Sequence, residues 1–195
     1  MQQTRAHVKQ GRPAATTRGE LELVALQLFA ERGFDATTVD DVAEAAGIGR
    51  RTFFRYFASK NDVVWGDFDA ALDQLRAQLS AVPDEVPLLD GLREAVKAFN
   101  QLPEGAEPQH RVRMAMVLHT PALQAHSTLR YAGWRAVIAQ HVAARAGAQP
   151  GDFGPALLAH QVLASAVAAY EQWLERPGSD LQALLDEALR TLAGR

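Results

Sequence analysis

The 195-residue chain contains no cysteine, which excludes disulfides and thiolate chemistry and is typical of a reducing compartment. Its first residues lack the apolar segment of a signal peptide. The longest uncharged stretch, 153–170, is rich in alanine and includes His160, Gln161 and Ser165, whereas a membrane span needs about 20 strongly apolar residues. We therefore expect a cytoplasmic protein with no membrane partner, in which this stretch forms a buried helix.

Sequence motifs of enzymes are also missing. The chain has no Gly-x-Ser-x-Gly and no His-Glu-x-x-His sequence. Gly47-Ile48-Gly49 lacks the third glycine of a dinucleotide-binding loop and follows a predicted helix. His119 and His126 are seven residues apart, but Thr120-Pro121 is expected to end the helix between them. These absences predict no catalytic residue, no metal and no cofactor.

Helical periodicity dominates the sequence. No run of alternating apolar and polar residues is long enough for a strand, and apolar residues recur at helical spacing nearly everywhere, which predicts an all-α fold. Ser59-x-x-Asp62 should start one long helix that ends before Pro83, and Ser179-x-x-Gln182 should start the last helix. The predicted helices cover 17–33, 38–46, 50–57, 59–82, 88–101, 109–119, 120–146, 156–174 and 181–192.

Charge is distributed unevenly along the chain. Residues 1–60 hold 9 Lys/Arg and 7 Asp/Glu, whereas residues 61–195 hold 11 and 16. A basic N-terminal part on a larger acidic part indicates nucleic-acid contact at one end only. We predict a flexible basic N-terminal arm over 1–16, a DNA-binding domain over 17–63, and a helical ligand-binding and dimerisation domain over 64–195.

The segment 38–57 has the pattern of a helix-turn-helix: a short apolar-faced helix, a turn around Gly47, and a short helix that carries arginines. Arg50 and Arg51 lie where a recognition helix meets base edges and could pair with guanine O6 and N7; the alternative is a solvated charged face. Phe53 and Phe57 are expected in the core of this three-helix domain. The predicted DNA-contacting residues are Arg18, Thr38, Arg50, Arg51, Thr52, Phe54, Arg55, Tyr56 and Lys60.

Several spaced segments resemble the TetR family of bacterial one-component regulators. They are Phe29-Ala30-Glu31-Arg32-Gly33-Phe34, Thr37-Thr38-Val39, Ala46-Gly47-Ile48, Thr52-Phe53-Phe54, Tyr56-Phe57 and Ser59-Lys60. The resemblance implies an all-helical homodimer with a small DNA-binding domain and a larger ligand-binding domain. The chain departs from the family at Gly49, usually serine, at Arg51, often glycine, and at Phe54, commonly tyrosine. Phe54 therefore lacks a hydroxyl for phosphate, while Arg51 adds a base-reading side chain.

The C-terminal part is similar to the regulators encoded beside mycofactocin biosynthesis genes. The similar segments are Trp65-Gly66-Asp67-Phe68, Thr120-Pro121-Ala122-Leu123, Ser127-Thr128-Leu129-Arg130-Tyr131 and Ala169-Tyr170-Glu171-Gln172-Trp173-Leu174. Relatives of these regulators sense acyl thioesters, so the resemblance implies an effector of that class.

A second charge feature bears on the ligand. Residues 108–151 hold five arginines, four histidines and no acid, whereas 61–107 hold 3 basic and 10 acidic residues. Surface salt bridges between these segments are one explanation; a site for an anionic ligand is the other.

Candidates for an apolar pocket are Trp65, Phe68, Phe99, Met114, Met116, Trp134, Tyr170 and Trp173. For a long-chain acyl-CoA effector we predict Phe68, Met114, Trp134 and Trp173 around the chain and Arg111, Arg113, Arg130 and Arg135 on the phosphates; a neutral or cationic drug would favour the acidic helices.

The last two helices are predicted to form a homodimer interface, because 156–170 is apolar nearly all round and the final helix carries a leucine stripe. The predicted interface residues are Leu158, Val162, Ala166, Leu181, Leu184, Leu185 and Ala188. The whole pattern predicts a repressor that binds a palindromic operator in double-stranded DNA. Binding of a small-molecule effector is expected to release the repressor from this operator. The alternatives are an architectural DNA-binding protein without effector, or a helical carrier or enzyme with a degenerate helix-turn-helix.

Overall fold

The computed structural model describes residues 17–192 and 194, and all of its regular structure within them is helical. This confirms the all-α prediction, whereas the predicted basic arm, 1–16, lies outside the described residues. The chain divides into two compact units between Val63 and Val64. The helices are α1 Arg18–Arg32, α2 Val39–Ala45, α3 Arg50–Tyr56, α4 Lys60–Trp65, α5 Phe68–Ser80, α6 Leu88–Phe99, α7 Glu107–His119, α8 Pro121–Ala146, α9 Phe153–Glu175 and α10 Leu181–Leu192.

The first unit contains α1 to α3, and side-chain caps define where its first two helices begin. The Thr17 hydroxyl accepts a hydrogen bond from the Glu20 amide, and Glu20 accepts one from the Thr17 amide. Thr38 and Asp41 form the same pair at the start of α2, so both threonines satisfy amides that a helix leaves without partners. Phe53 and Phe57 are buried in this unit, as expected.

The prediction of one long helix over 59–82 is wrong. Ser59 does start a helix, with its hydroxyl on Asp62, but α4 ends at Trp65 and α5 begins only at Phe68. Gly66 adopts a φ of 58°, a left-handed conformation that favours glycine. The Asp67 carboxylate then accepts from the Ala70 amide and caps α5.

The second unit is built around α9, which packs against α8 and α10. Six α9 residues, among them Val162 and Trp173, are buried in the common core. The opposite side is not covered by the chain itself, since Phe153 and Leu157 are exposed. Burial within the chain therefore accounts for one face of this helix, and the interface expected on the other face stays a prediction. By length and composition α9 could cross a membrane, but core helices of soluble proteins meet the same criterion.

The predicted start of the last helix also needs correction. Asp180, not Ser179, caps α10, because its carboxylate accepts from the Gln182 amide at 2.8 Å. Ser179 instead donates to carbonyl groups at the end of α9.

Four of the predicted interface residues are buried in the core of their own chain. They are Val162, Ala166, Leu181 and Leu185. Leu158, Leu184 and Ala188 are partly buried at the edge of that core.

Candidate DNA-contacting surface and ligand pocket

The short helix α3 presents arginines and an aromatic ring to solvent. Arg51 and Arg55 are exposed, and Phe54 is 43% exposed, which is unusual for a large apolar side chain. Thr52 is partly exposed. Arg51 makes no ion pair with another described residue, so its guanidinium is available for recognition.

Three other arginines of the first unit contact neighbouring groups. Arg50 Nη1 lies 2.7 Å from the Asp40 carboxylate, and its guanidinium is 5.3 Å from the centre of the Phe54 ring. Arg55 donates to the Tyr56 hydroxyl at 3.1 Å. Arg18 lies over the Phe57 ring at 4.7 Å. The Arg50 contact with Asp40 lies at the surface and is of low energy, so a phosphate or base could replace it.

Lys60 makes contacts with the α1–α2 connection that were not predicted from the sequence. Its Nζ donates to the carbonyl oxygens of Phe34 at 2.8 Å and Thr37 at 3.0 Å, and it lies 4.3 Å from the centre of the Phe34 ring. The ammonium group thus closes the connection between α1 and α2. Thr38, the α2 cap, is exposed beside this connection.

The second unit contains a cavity of about 330 Å³, within the size range of small-molecule sites. Most of its wall is aromatic or aliphatic, and no aspartate or glutamate belongs to the described lining. The lining residues are Val64, Trp65, Phe68, Phe99, Asn100, Leu102, Pro103, Ala106, Gln109, His110, Arg113, Met114, Val117, Leu118, Tyr131, Trp134, Leu163, Ala166, Val167 and Tyr170.

The cavity brings together only part of the predicted ligand set. Phe68, Met114, Trp134 and Arg113 belong to its wall. Of the wider apolar set, Trp65, Phe99 and Tyr170 also line it, whereas Met116 does not. Sequence reasoning missed its polar members, which carry no motif: Asn100, Gln109, His110 and Tyr131.

The other four predicted ligand residues lie outside the wall, for identifiable reasons. Trp173 is 1% exposed within the core, and the Arg111 guanidinium lies 4.0 Å from its ring centre. Arg111 also donates to the Trp173 carbonyl and to Glu107. Arg130 lies 3.5 Å from the Asp69 carboxylate, and Arg135 is partly exposed elsewhere on α8. The expected group of four arginines around the pocket is therefore reduced to one.

A chain of neutral hydrogen bonds crosses the pocket wall. The Tyr170 hydroxyl donates to Asn100 Oδ1 at 2.8 Å, so its oxygen accepts from His110 Nε2, also at 2.8 Å. Burial, with a smaller effect of the nearby Arg113 charge, lowers the pKa of His110 to about 4, and burial raises the pKa of Tyr170. Both side chains are thus neutral at pH 7, and they connect the end of α6 to α7 and α9.

Arg113 is consequently the one cation among the described lining residues. Its Nη1 donates to the Val64 carbonyl at 2.9 Å. That carbonyl belongs to the last turn of α4, where backbone oxygens have no partner within the helix.

A helix-turn-helix unit followed by a helical unit with an apolar pocket defines a one-component regulator, in which one chain contacts DNA and binds a ligand. Residues 23–64 match the family model of bacterial regulatory proteins, tetR family, and residues 86–195 match the model of the MftR C-terminal domain. The chain therefore belongs to the TetR family of transcriptional regulators, whose members are not enzymes.

Individual relatives agree with this assignment. Over 179 residues, 92% of this chain and 88% of the relative, it is 48% identical to a Mycobacterium tuberculosis protein named as mycofactocin biosynthesis transcriptional regulator MftR. It is 31% identical to TcmR of Streptomyces glaucescens over 86% of this chain and 77% of that protein. FadR of Thermus thermophilus, solved with lauroyl-CoA, superimposes with a TM-score of 0.59 at 23% identity, over 91% of this chain and 93% of that one. The last similarity supports the fold alone.

Proposed function

We propose that the chain is a homodimeric repressor that leaves its operator when an anionic amphiphile enters the pocket, with a long-chain acyl-CoA as the leading candidate. The observation that carries this proposal is the composition of the wall, which is apolar apart from neutral polar groups and one arginine. Such a wall favours a ligand with an extended hydrocarbon group and a head group that is negatively charged or is a strong hydrogen-bond acceptor.

The wall argues against a cationic drug. A positive ligand would lie beside Arg113 without a carboxylate among the described lining residues to compensate its charge. The FadR of Thermus thermophilus, which has a similar fold, was solved with lauroyl-CoA, and this makes an acyl-CoA the first candidate to test.

The route from the pocket to DNA is proposed to be α4. This helix begins at Lys60, which bonds carbonyls of the α1–α2 connection, and ends at Trp65, which lines the pocket. A ligand changes operator affinity only if it binds two conformations of the protein unequally. Displacement of Val64 and Trp65 would provide that difference.

Dimerisation is proposed to use the open faces of α9 and α10. Phe153 is 80% and Leu157 41% exposed, and Ala164 and Ala168 continue the same face. Two copies of this face would form an isologous contact. The paired α3 helices would then read half-sites about one DNA turn apart.

Titration of the protein–operator complex with acyl-CoAs of increasing chain length tests the proposal. Release should strengthen with length, because each buried methylene adds about 0.8 kcal/mol until the pocket is full. An architectural protein would show no release at any length. A carrier or enzyme would bind or convert the thioester without specific operator binding.

A further inference from the structure

The hydrogen bonds that cross the pocket wall have a direction. Asn100 Nδ2 donates to the Val96 carbonyl at 2.7 Å, so Oδ1 is the atom that meets Tyr170, and an amide oxygen can only accept. The single hydroxyl proton of Tyr170 is used in the 2.8 Å bond to that oxygen. The Tyr170 oxygen therefore accepts from His110 Nε2, 2.8 Å away, and Nε2 must carry a proton.

This direction fixes the tautomer of His110. A neutral imidazole carries one ring proton, so a proton on Nε2 leaves Nδ1 as a hydrogen-bond acceptor. A second proton is disfavoured, because burial lowers the pKa of His110 to about 4 and the charge of Arg113 acts in the same direction. At pH 7 the side chain thus presents an acceptor and not a cation.

Nδ1 of His110 has no hydrogen-bond donor among the residues that the structure describes. It is not one of the buried side-chain atoms that lack a partner, so it keeps accessible surface, and His110 belongs to the cavity wall. Its surroundings are largely apolar: Met114 lies one turn later on α7, and the Tyr170 and Trp173 rings pack at centroid distances of 5.6 and 5.9 Å. A plain hydrocarbon chain over Nδ1 would leave this acceptor unpaired, which is unfavourable.

We propose that His110 Nδ1 accepts a hydrogen bond from a hydroxyl group on the hydrocarbon chain of the ligand, so that the pocket selects a hydroxylated fatty acyl group over the unsubstituted one. This inference rests on the proposed function and names a feature of its ligand. The hydroxyl adds to the anionic head group and does not replace it.

A hydroxyl suits this position better than other donors. An ammonium group would be repelled by the charge of Arg113, which already acts on His110. An amide N–H brings a carbonyl that needs a donor of its own in apolar surroundings. A site that hydrogen-bonds a hydroxyl also discriminates against the analogue that lacks it, because the polar group of the site is then left unpaired.

Calorimetric titration of the full chain compares dodecanoyl-CoA with monohydroxydodecanoyl-CoAs that differ in the position of the hydroxyl. At the position that reaches Nδ1, the hydroxyl should tighten binding about tenfold, and at other positions it should weaken binding because it is buried without a partner. The keto analogue of the matching position accepts but cannot donate. It should bind more weakly than dodecanoyl-CoA, since two acceptors then face each other.

Two variants and a control test the residues. His110→Phe keeps an aromatic ring without an acceptor, so dodecanoyl-CoA should bind at least as tightly as every hydroxylated form. Tyr170→Phe removes the acceptor that holds the proton on Nε2, and it should reduce the difference between the hydroxyl and keto ligands because the imidazole can then protonate either nitrogen. His119→Phe, at an exposed histidine of α7 outside the described lining, should behave as wild type.

Nitrogen-15 NMR of the histidine rings tests the tautomer without any substitution. His110 should carry its proton on Nε2, and the Nδ1 resonance should shift strongly with the matching hydroxylated ligand and little with dodecanoyl-CoA. A proton on Nδ1, or equal shifts with both ligands, would overturn the inference even if the variants failed to fold.

The outcomes separate the two proposals. If acyl-CoAs release the wild type from its operator but no hydroxyl position improves binding, or if His110→Phe keeps the preference, this inference is wrong while the proposed function stands. If no acyl-CoA binds, the proposed function fails and the inference fails with it.

Discussion

Arg50 donates from Nη1 to the Asp40 carboxylate across 2.7 Å, so the first arginine of the recognition helix α3 is paired with α2. Both side chains are more than half exposed, so the ion pair is weak and a guanine can displace it. In the proposed complex with DNA, the carboxylate would compete with the bases for this guanidinium.

Asp40→Asn should therefore tighten operator binding by about twofold to fivefold, since an exposed pair contributes up to about 1 kcal/mol. Fluorescence anisotropy with labelled operator measures the change. Asp35→Asn makes the same change of charge at an exposed position of the same unit, and it should have a smaller effect. Equal effects of the two variants would mean that only net charge matters.

Lys60→Met should reduce stability as well as DNA binding. Two carbonyls, of Phe34 and Thr37, lose their donor, and a hydrogen bond to a charged group contributes about 1.5–3 kcal/mol. Urea unfolding of the full chain measures this loss. Arg51→Met serves as the control, because Arg51 is exposed and should affect operator binding alone. An unchanged urea midpoint for Lys60→Met would show that its contacts are not stabilising.

The buried His110 should make stability depend on pH. Its folded pKa is lowered to about 4, so between there and about 6.5 the unfolded chain binds a proton that the folded chain does not. Stability should therefore fall as the pH drops from 7 to 5 and stay nearly constant above 7. His110→Gln should reduce this slope without removing it, because burial also lowers the pKa of His141.

The proposed dimer face can be tested at Leu157, which does not belong to the hydrophobic core of its own chain. Leu157 is 41% exposed on α9, so Leu157→Glu should dissociate the dimer and weaken operator binding while each chain stays folded. Leu129→Glu introduces the same change at a leucine that is 73% exposed on α8. Sedimentation that shows a monomer for the control but not for Leu157→Glu would place the interface elsewhere.

The sequence predicted the helices best where local chemistry determines them. The Thr17 and Thr38 caps and the Gly47 turn depend on residues that lie three or four positions apart, so a short segment of sequence is enough to predict them. The break at Gly66 was missed because Val64, Phe68 and Leu72 keep helical spacing across it. Periodicity alone cannot detect a break that preserves the apolar face.

The pocket was predicted only in part because it depends on the packing of distant helices. Aromatic residues indicated an apolar wall, but the orientation of α7 decides that Arg113 and not Arg111 meets the cavity. In the same way, both faces of α9 are apolar in sequence. Only packing against α8 and α10 shows that Val162 is covered and Leu157 is open.

The head-group dependence of operator release tests the central claim most directly. The experiment compares how strongly dodecanoyl-CoA, dodecanol and dodecylamine release the wild-type protein from its operator. All three carry the same twelve-carbon chain, so the contribution of the buried hydrocarbon is held constant. Each is used below the concentration at which it forms micelles. The account predicts release by the anionic ligand, little by the alcohol and none by the amine, because Arg113 is the only cation in a described wall without acid. Equal or stronger release by the amine would contradict it.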